Sequence, residues 1–186
     1  GVYNYGMTTV TYTATDASGN TSTCSFKVTV DVDGAVTLLI DSVVVDCASG
    51  AQQIAVNVTV EDFSDLLGLQ FSIVWDEAVL QFDTVDNDYP GLNLDASDFL
   101  GFTTTPNGIL RFLGGDPVNG WPAIPDGGIF FTLYFNVLNP SGTTNINFVG
   151  PYDAVDVNFN SIPLLTFNGL FQSADLTPPV ISFCPA

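Results

Sequence analysis

Ile54, Val56, Val58 and Val60 alternate with Ala55, Asn57, Thr59 and Glu61, and a period of two recurs along most of the chain. Leu69, Phe71, Ile73 and Trp75 alternate with Gln70, Ser72 and Val74, and Leu80 and Phe82 point opposite to Gln81 and Asp83. Successive side chains on a strand face opposite ways, so this pattern predicts strands buried on one side only. Similar runs lie around Ile109–Leu113, Ile129–Leu138, Thr144–Val149 and Leu164–Phe167, with Gly, Pro, Asn and Asp between them. Short strands at regular spacing, broken by turn residues, predict an all-β sandwich over the middle of the chain. No window carries a helical apolar stripe. The best helical candidates, Asp76–Val79 and Asp95–Leu100, are each about one turn long.

The beginning of the chain has its own strand pair. Val10, Tyr12 and Ala14 share one face, with Thr11 and Thr13 on the other; Cys24, Phe26, Val28 and Val30 oppose Ser25, Lys27 and Thr29. Between them Asp16–Asn20, "DASGN", supplies tight-turn chemistry. The result is a hairpin with one apolar face, and a lone hairpin is marginal in water. The end of the chain offers Val180, Ile181 and Phe183 behind Pro178 and Pro179, whose fixed φ stiffens the approach.

Composition bounds the function. The chain has 186 residues and 46% hydrophobic content, enough for a substantial core. Only Lys27 and Arg111 are basic, against 20 acids, for a formal charge of −18. That excludes nucleic-acid binding through phosphate contacts and disfavours anionic membranes. No apolar run reaches the roughly 18 residues of a membrane-spanning helix, so no membrane insertion is expected. All but Glu61 and Glu77 of the acids are Asp, which suits turns and oxygen-rich cation sites. The sequence contains no His, so Ser-His-Asp and Cys-His catalysis are excluded, and no Gly-rich phosphate loop opens a helix. The expectation is a protein without enzymatic activity.

Two resemblances sharpen this reading. "TTVTYTATDASGNTSTCSFKVTV" (residues 8–30) resembles the closing strands of a hyalin-repeat (HYR) Ig-like module, and "TPPVISFCPA" (177–186) resembles the opening strand of one. "VNVTVEDFSDLLGLQFSIVWDEAVLQF" (56–82) resembles the start of a cohesin domain, followed by the cohesin-like "GILRFLG" (108–114) and "GGIFFTLYFNVL" (127–138). The cohesin resemblance implies a nine-strand jelly-roll sandwich, related to some carbohydrate-binding modules, whose first and last strands run parallel. It therefore implies chain ends at opposite poles. The expected layout is HYR-like strands over 1–33, a cohesin-like sandwich over 34–172, and a linker with the next HYR strand over 173–186. Cohesin-like domains beside HYR modules occur in large surface proteins of Bacteroidetes-type bacteria. The resemblance thus implies an extracellular or cell-surface, secreted bacterial protein.

The HYR resemblance also implies a disulfide joining Cys24 to Cys184. Two arrangements satisfy it: a bond between neighbouring copies, or one within a tandem module of a longer chain. In the first, Val10, Tyr12, Phe26 and Val28 of one copy receive Val180, Ile181 and Phe183 of another, which makes other copies of the chain the partners. Cys47 is left over, and with no CxxC pattern a metal role for the cysteines has little support.

Candidate sites on the sandwich are oxygen clusters and loop aromatics. Asp31 and Asp33 form one acidic pair and Asp86 and Asp88 another, the only support for calcium, and neither has EF-hand spacing. Solvated turn acids are the alternative for each. Trp121 and Tyr89, with Tyr152, fall in loops where rings stack on glycans or anchor the loop by packing. Ser42 and Thr84 fit the Asp-Ser/Thr-apolar pattern of Bacteroidetes-type O-glycosylation, and Asn20 and Asn57 fit the N-glycosylation pattern.

The reading that joins these features is a structural subunit or repeat of an extracellular filament or adhesin, coupled head-to-tail by completing a split HYR module. The alternative is a cohesin-type or carbohydrate-binding recognition module, with a dockerin or a glycan as partner.

Overall fold

The computed structural model describes residues 6–30, 34–46, 52–86, 89–100 and 108–174. Cys47, Asp31, Asp33, Asp88, Val180, Ile181, Phe183 and Cys184 lie outside the described residues. The chain forms two compact units, Gly1–Ala35 and Val36–Ala186.

The first unit holds β1 (Gly6–Thr15) and β2 (Thr21–Val30), an antiparallel two-stranded sheet. Val10 faces Phe26, and Tyr12 faces Cys24. Directly opposed residues share a face. One side of the ribbon therefore carries Val10, Tyr12, Cys24, Phe26 and Val28, and the other a ladder of Thr and Ser around Lys27. The connecting turn is built by Asp16, whose Oδ1 accepts from the N–H groups of Ser18 and Asn20, both at 2.9 Å. Gly19, at φ +87°, supplies the left-handed step that a side chain would resist. Asn20 donates to Asp16 Oδ2 at 2.8 Å, and this side-chain bond, followed by backbone bonds, lowers the Asp16 pKa.

The second unit is the sandwich. Its strands are β3 (Val36–Ile40), β4 (Val43–Asp46), β5 (Gln53–Glu61), β6 (Leu66–Val74), β7 (Leu80–Asp86), β8 (Phe99–Leu100), β9 (Ile109–Gly115), β10 (Ile129–Val137), β11 (Thr143–Asp156), β12 (Leu164–Phe167) and β13 (Gly169–Ala174). One sheet has the order β12-β3-β5-β10-β7 and the other β4-β13-β11-β6-β9-β8. The chain changes sheets between β3 and β4 and again between β12 and β13. Counted as continuous segments, the eleven strands make the nine of the expected jelly roll.

The first and last segments run side by side and parallel. Val36 pairs with Leu164 in one sheet, and Asp46 with Ala174 in the other. Val36 and Ala174 therefore stand at opposite ends of the sandwich. Both segments cross sheets at one corner. There the Leu170 N–H donates to Ser42 Oγ at 3.1 Å, and the Phe148 N–H to Asn168 Oδ1 at 2.8 Å.

The core is aromatic. Phe71 of β6 stacks on Phe112 of β9 at 4.9 Å and meets Phe148 of β11 edge-on at 5.3 Å. Phe131 of β10 reaches the same cluster from the facing sheet through Phe99, at 5.2 Å. Each such ring buried contributes about 1.5–3 kcal/mol. Trp75 is buried and donates its indole N–H to the Leu80 carbonyl at 2.9 Å, which satisfies its polar edge.

Among the described residues there is no helix. Asp76–Val79 is a single turn in which the Asp76 carbonyl accepts from Val79 and Leu80, both at 3.0 Å. Asp95–Leu100 is a turn that runs directly into β8, with the Asp98 N–H bonded to the Asp95 carbonyl at 3.1 Å.

Candidate functional site: the outer face of the six-stranded sheet

The alternation that buries Leu69, Phe71 and Ile73 turns Gln70, Ser72 and Val74 outward on β6. β9 and β11 flank β6 and repeat the pattern. Across the sheet, Val74 lies beside Ile109 and Asn147, Ser72 beside Arg111 and Val149, and Gln70 beside Leu113 and Asp153. The outer surface is thus three short rows of neighbouring side chains, at the strand spacing of about 4.8 Å. Val74, Ile109, Leu113 and Val149 supply its apolar part, and Leu113 is 53% exposed.

Arg111 is the only cation of the sandwich, since the other basic residue, Lys27, belongs to the hairpin. It is exposed, with Ser72 on one side and Leu100 on the other. Among the described residues no carboxylate pairs with it. Ser72, though it points outward, is only 6% exposed between Arg111 and Val149.

A hollow of about 140 Å³ opens at one edge of this face, between Gly68, Gln70, Leu113, Gly114, Asp153 and Val155. Glycines shape it. A Cβ on Gly115 would lie 2.4 Å from the Leu67 carbonyl oxygen, so β9 approaches β6 there only without a side chain. A larger hollow, about 340 Å³, lies beside Trp75, Leu80, Phe82 and Leu138. Among the described residues that line it, Glu77 is the single carboxylate and no convergent set of polar groups is present to orient a small ligand.

The sequence-derived candidates fall at scattered places. Trp121 corrects the expectation of a glycan-stacking ring. It is 6% exposed, stacks on Phe63 at 5.9 Å and meets Phe130 edge-on at 5.8 Å, so it anchors its loop in the core. The signal was ambiguous because a Trp between prolines suits either fate. Tyr89 is half-buried, and its hydroxyl donates to the Ala123 carbonyl at 3.0 Å. Tyr152 is exposed. Ser42 is exposed at the sheet-crossing corner, and Thr84 is exposed on β7. Asp86 is exposed, and among the described residues no group of three or more acidic or Cys side chains is placed to hold a metal ion. On the hairpin, Cys24 is exposed and has no disulfide partner among the described residues, Tyr12 is 65% exposed and Phe26 is 46% exposed, while Val10 and Val28 are half-buried.

Sequence reasoning did not single out Arg111 or its apolar neighbours. The available signal was the alternation itself, which places Arg111 and Leu113 opposite to the buried Leu110 and Phe112.

Comparison with known proteins agrees with this architecture. The family model described as "Cohesin domain" matches residues 36–162, and that described as "HYR domain" matches residues 2–30. A comparison with curated proteins returned no match. Among solved structures, the sixth cohesin of scaffoldin B from Acetivibrio cellulolyticus, in complex with a dockerin, superimposes with a TM-score of 0.62 at 19% identity, covering 75% of this chain and 99% of that one. A non-cellulosomal cohesin from the hyperthermophilic archaeon Archaeoglobus fulgidus gives 0.59 at 18%, covering 75% and 91%. CaCohA2 from Clostridium acetobutylicum gives 0.59 at 22%, covering 78% and 98%.

Proposed function

The chain belongs to the cohesin family, and from that premise we propose that it is a protein-recognition module that takes a dockerin-type partner on the outer face of the six-stranded sheet. The observation that carries this reading is the outward-facing set of half-buried Val74, Ile109 and Val149 and exposed Leu113 beside Arg111, with which no carboxylate pairs among the described residues. A surface that mixes apolar and polar side chains across neighbouring strands has the composition of a non-obligate protein interface. Several cohesins of the same fold were solved bound to dockerins. The module works outside the cell, on a secreted bacterial protein, and binds rather than catalyses.

Calorimetry of the full chain against dockerins from Acetivibrio cellulolyticus and Clostridium thermocellum, with calcium and with chelator, tests the reading. Binding that Leu113→Asp and Val149→Asp abolish is the expected result. Absence of binding to every dockerin, or binding indifferent to both substitutions, overturns it.

A second reading rests on the hairpin. Its apolar side exposes Tyr12 and Phe26, with Cys24 of β2 directly opposite Tyr12, and a two-stranded sheet alone has little stability. Strand addition by Val180, Ile181 and Phe183 of another copy, with a Cys24–Cys184 bond, would couple copies head-to-tail into a filament or adhesin. A non-reducing gel of native material decides this: a ladder that collapses on reduction supports covalent coupling, and a monomer band under both conditions removes it. Calcium at Asp31 and Asp33 or at Asp86 and Asp88, and glycans on Ser42 and Thr84, belong to this surface-protein reading. Metal analysis and intact mass test them.

A further inference from the structure

The opposite face of the sandwich, the outer side of the five-stranded sheet, has a different chemistry. On β10 the buried Phe131, Leu133 and Phe135 turn Tyr134 outward. Its neighbours across the sheet are short: Ala55 on β5 and Thr84 on β7. Tyr134 is half-buried, and among the described residues its hydroxyl meets no hydrogen-bond partner.

Ordered polar side chains frame the ring on both sides along the strand. On one side, Gln53 of β5 donates to Asp83 Oδ2 of β7 at 2.7 Å, a bond that passes over β10. Asp83 can do this because the β10–β7 register shifts between Tyr134 and Phe135, which leaves Asp83 out of the regular pairing. On the other side, Thr132 donates to Asn57 Oδ1 at 3.0 Å, and Asn57 donates to Asp41 Oδ2 at 3.1 Å. The frame is held by its own bonds before any ligand arrives, which lowers the ordering cost of binding.

We infer that this face is a binding surface for neutral saccharides, with Tyr134 as the stacking ring and the Gln53–Asp83 and Asn57–Asp41 pairs as hydroxyl-binding walls. A pyranose offers one apolar face and a rim of hydroxyls. An aromatic ring with short flanking residues accepts the first. Amides and carboxylates one strand step away donate to and accept from the second. The walls carry Asp41 and Asp83 on a chain of net charge −18, so uronic or sialic acids are repelled and neutral sugars are not. This site goes beyond the protein-docking reading and uses the other sheet.

The test is ¹⁵N–¹H NMR titration of the full chain with cellohexaose, xylohexaose, mannohexaose and maltohexaose, and with an oligogalacturonate as the charged control. Saturable shifts at the Ala55, Thr84 and Tyr134 amides with at least one neutral sugar, and none with the uronate, are expected. Tyr134→Ala weakens that binding by roughly tenfold or more, Tyr134→Phe retains it, and Gln53→Ala weakens it without altering the melting curve. No shifts with any of the four sugars at about 10 mM, or shifts that survive Tyr134→Ala, overturn the inference. Equal binding of the uronate overturns it too. A failure here leaves the dockerin titration untouched, because those variants lie on different sheets.

Discussion

A Cβ added to Gly169 would stand 2.5 Å from the backbone oxygen of Asp41 and 2.6 Å from the Ile40 side chain. These two positions are where the first and last segments of the sandwich cross from one sheet to the other, side by side. The crossing is possible because one of them has no side chain. Substituting Gly169→Ala forces two parallel strands apart at the corner that joins both sheets. The expected loss is about 1–3 kcal/mol, read from the urea midpoint at unchanged m-value. Gly127→Ala is a useful contrast. Nothing lies within 4 Å of its Cβ, so any cost there comes from its φ of +76°.

Trp121 belongs to the core, and its removal should be felt as a core substitution. Trp121→Ala strips the partner from Phe63, Phe112 and Phe130 and should cost about 3–5 kcal/mol. Trp121→Phe keeps part of the stack and should cost less. Thermal melting separates the two, and neither should change saccharide binding on a folded sample.

Arg111 is the sole positive charge on the proposed docking face. Arg111→Glu is an exposed substitution and should change stability by no more than about 0.5 kcal/mol. If a partner places a carboxylate over it, the variant slows association most at low ionic strength, because an attraction becomes a repulsion that salt screens. Stopped-flow association at several ionic strengths gives the answer.

Four Asp side chains cap turns and should make the fold acid-sensitive. Asp116 accepts from the backbone N–H groups of Asn119 and Val118, both at 3.0 Å, and these bonds hold its pKa below the ordinary 3.8. The side chain of Asn160 is the largest cause of the same lowering for Asp156, that of Asn20 for Asp16 and that of Ser97 for Asp95, with backbone bonds adding to each. A depressed folded-state pKa contributes stability that is present above the unfolded value and lost as pH falls through the folded one. Urea midpoints should therefore be flat above about pH 5 and decline below the ordinary carboxylate range. Asp116→Asn should show a smaller drop between neutral and acid pH, because its capping carboxylate is already gone. Asp16 and Asp95 are exposed and Asp116 and Asp156 only half-buried, so salt weakens the effect.

Much of the fold was legible in the alternation. The runs at Ile54–Glu61, Leu69–Trp75 and Ile129–Leu138 coincide with β5, β6 and β10, and the apolar members on the inward face, such as Val56, Val58, Phe71, Ile73, Phe131 and Leu133, are buried. "DASGN" reads as a turn and is one, because Asp, Gly and Asn each solve a local backbone problem. β8 escaped notice, since two residues carry no period. The break between β3 and β4 also escaped notice, because nothing in "IDSVVV" marks a change of sheet.

The division follows from the range over which each cause acts. Period-two alternation and turn chemistry are local, so the chain by itself determined which residues form strands and which side of each strand is apolar. Sheet membership, the parallel pairing of the first and last segments, and the fate of Trp121 depend on contacts between residues far apart in sequence. Local propensity carries no record of those contacts. The same holds for the two outer faces. Only the tertiary structure put Val74, Ile109, Arg111 and Val149 on one surface, and Gln53, Asp83 and Tyr134 on the other. Cross-strand neighbours 4.8 Å apart in space come from strands tens of residues apart in the chain.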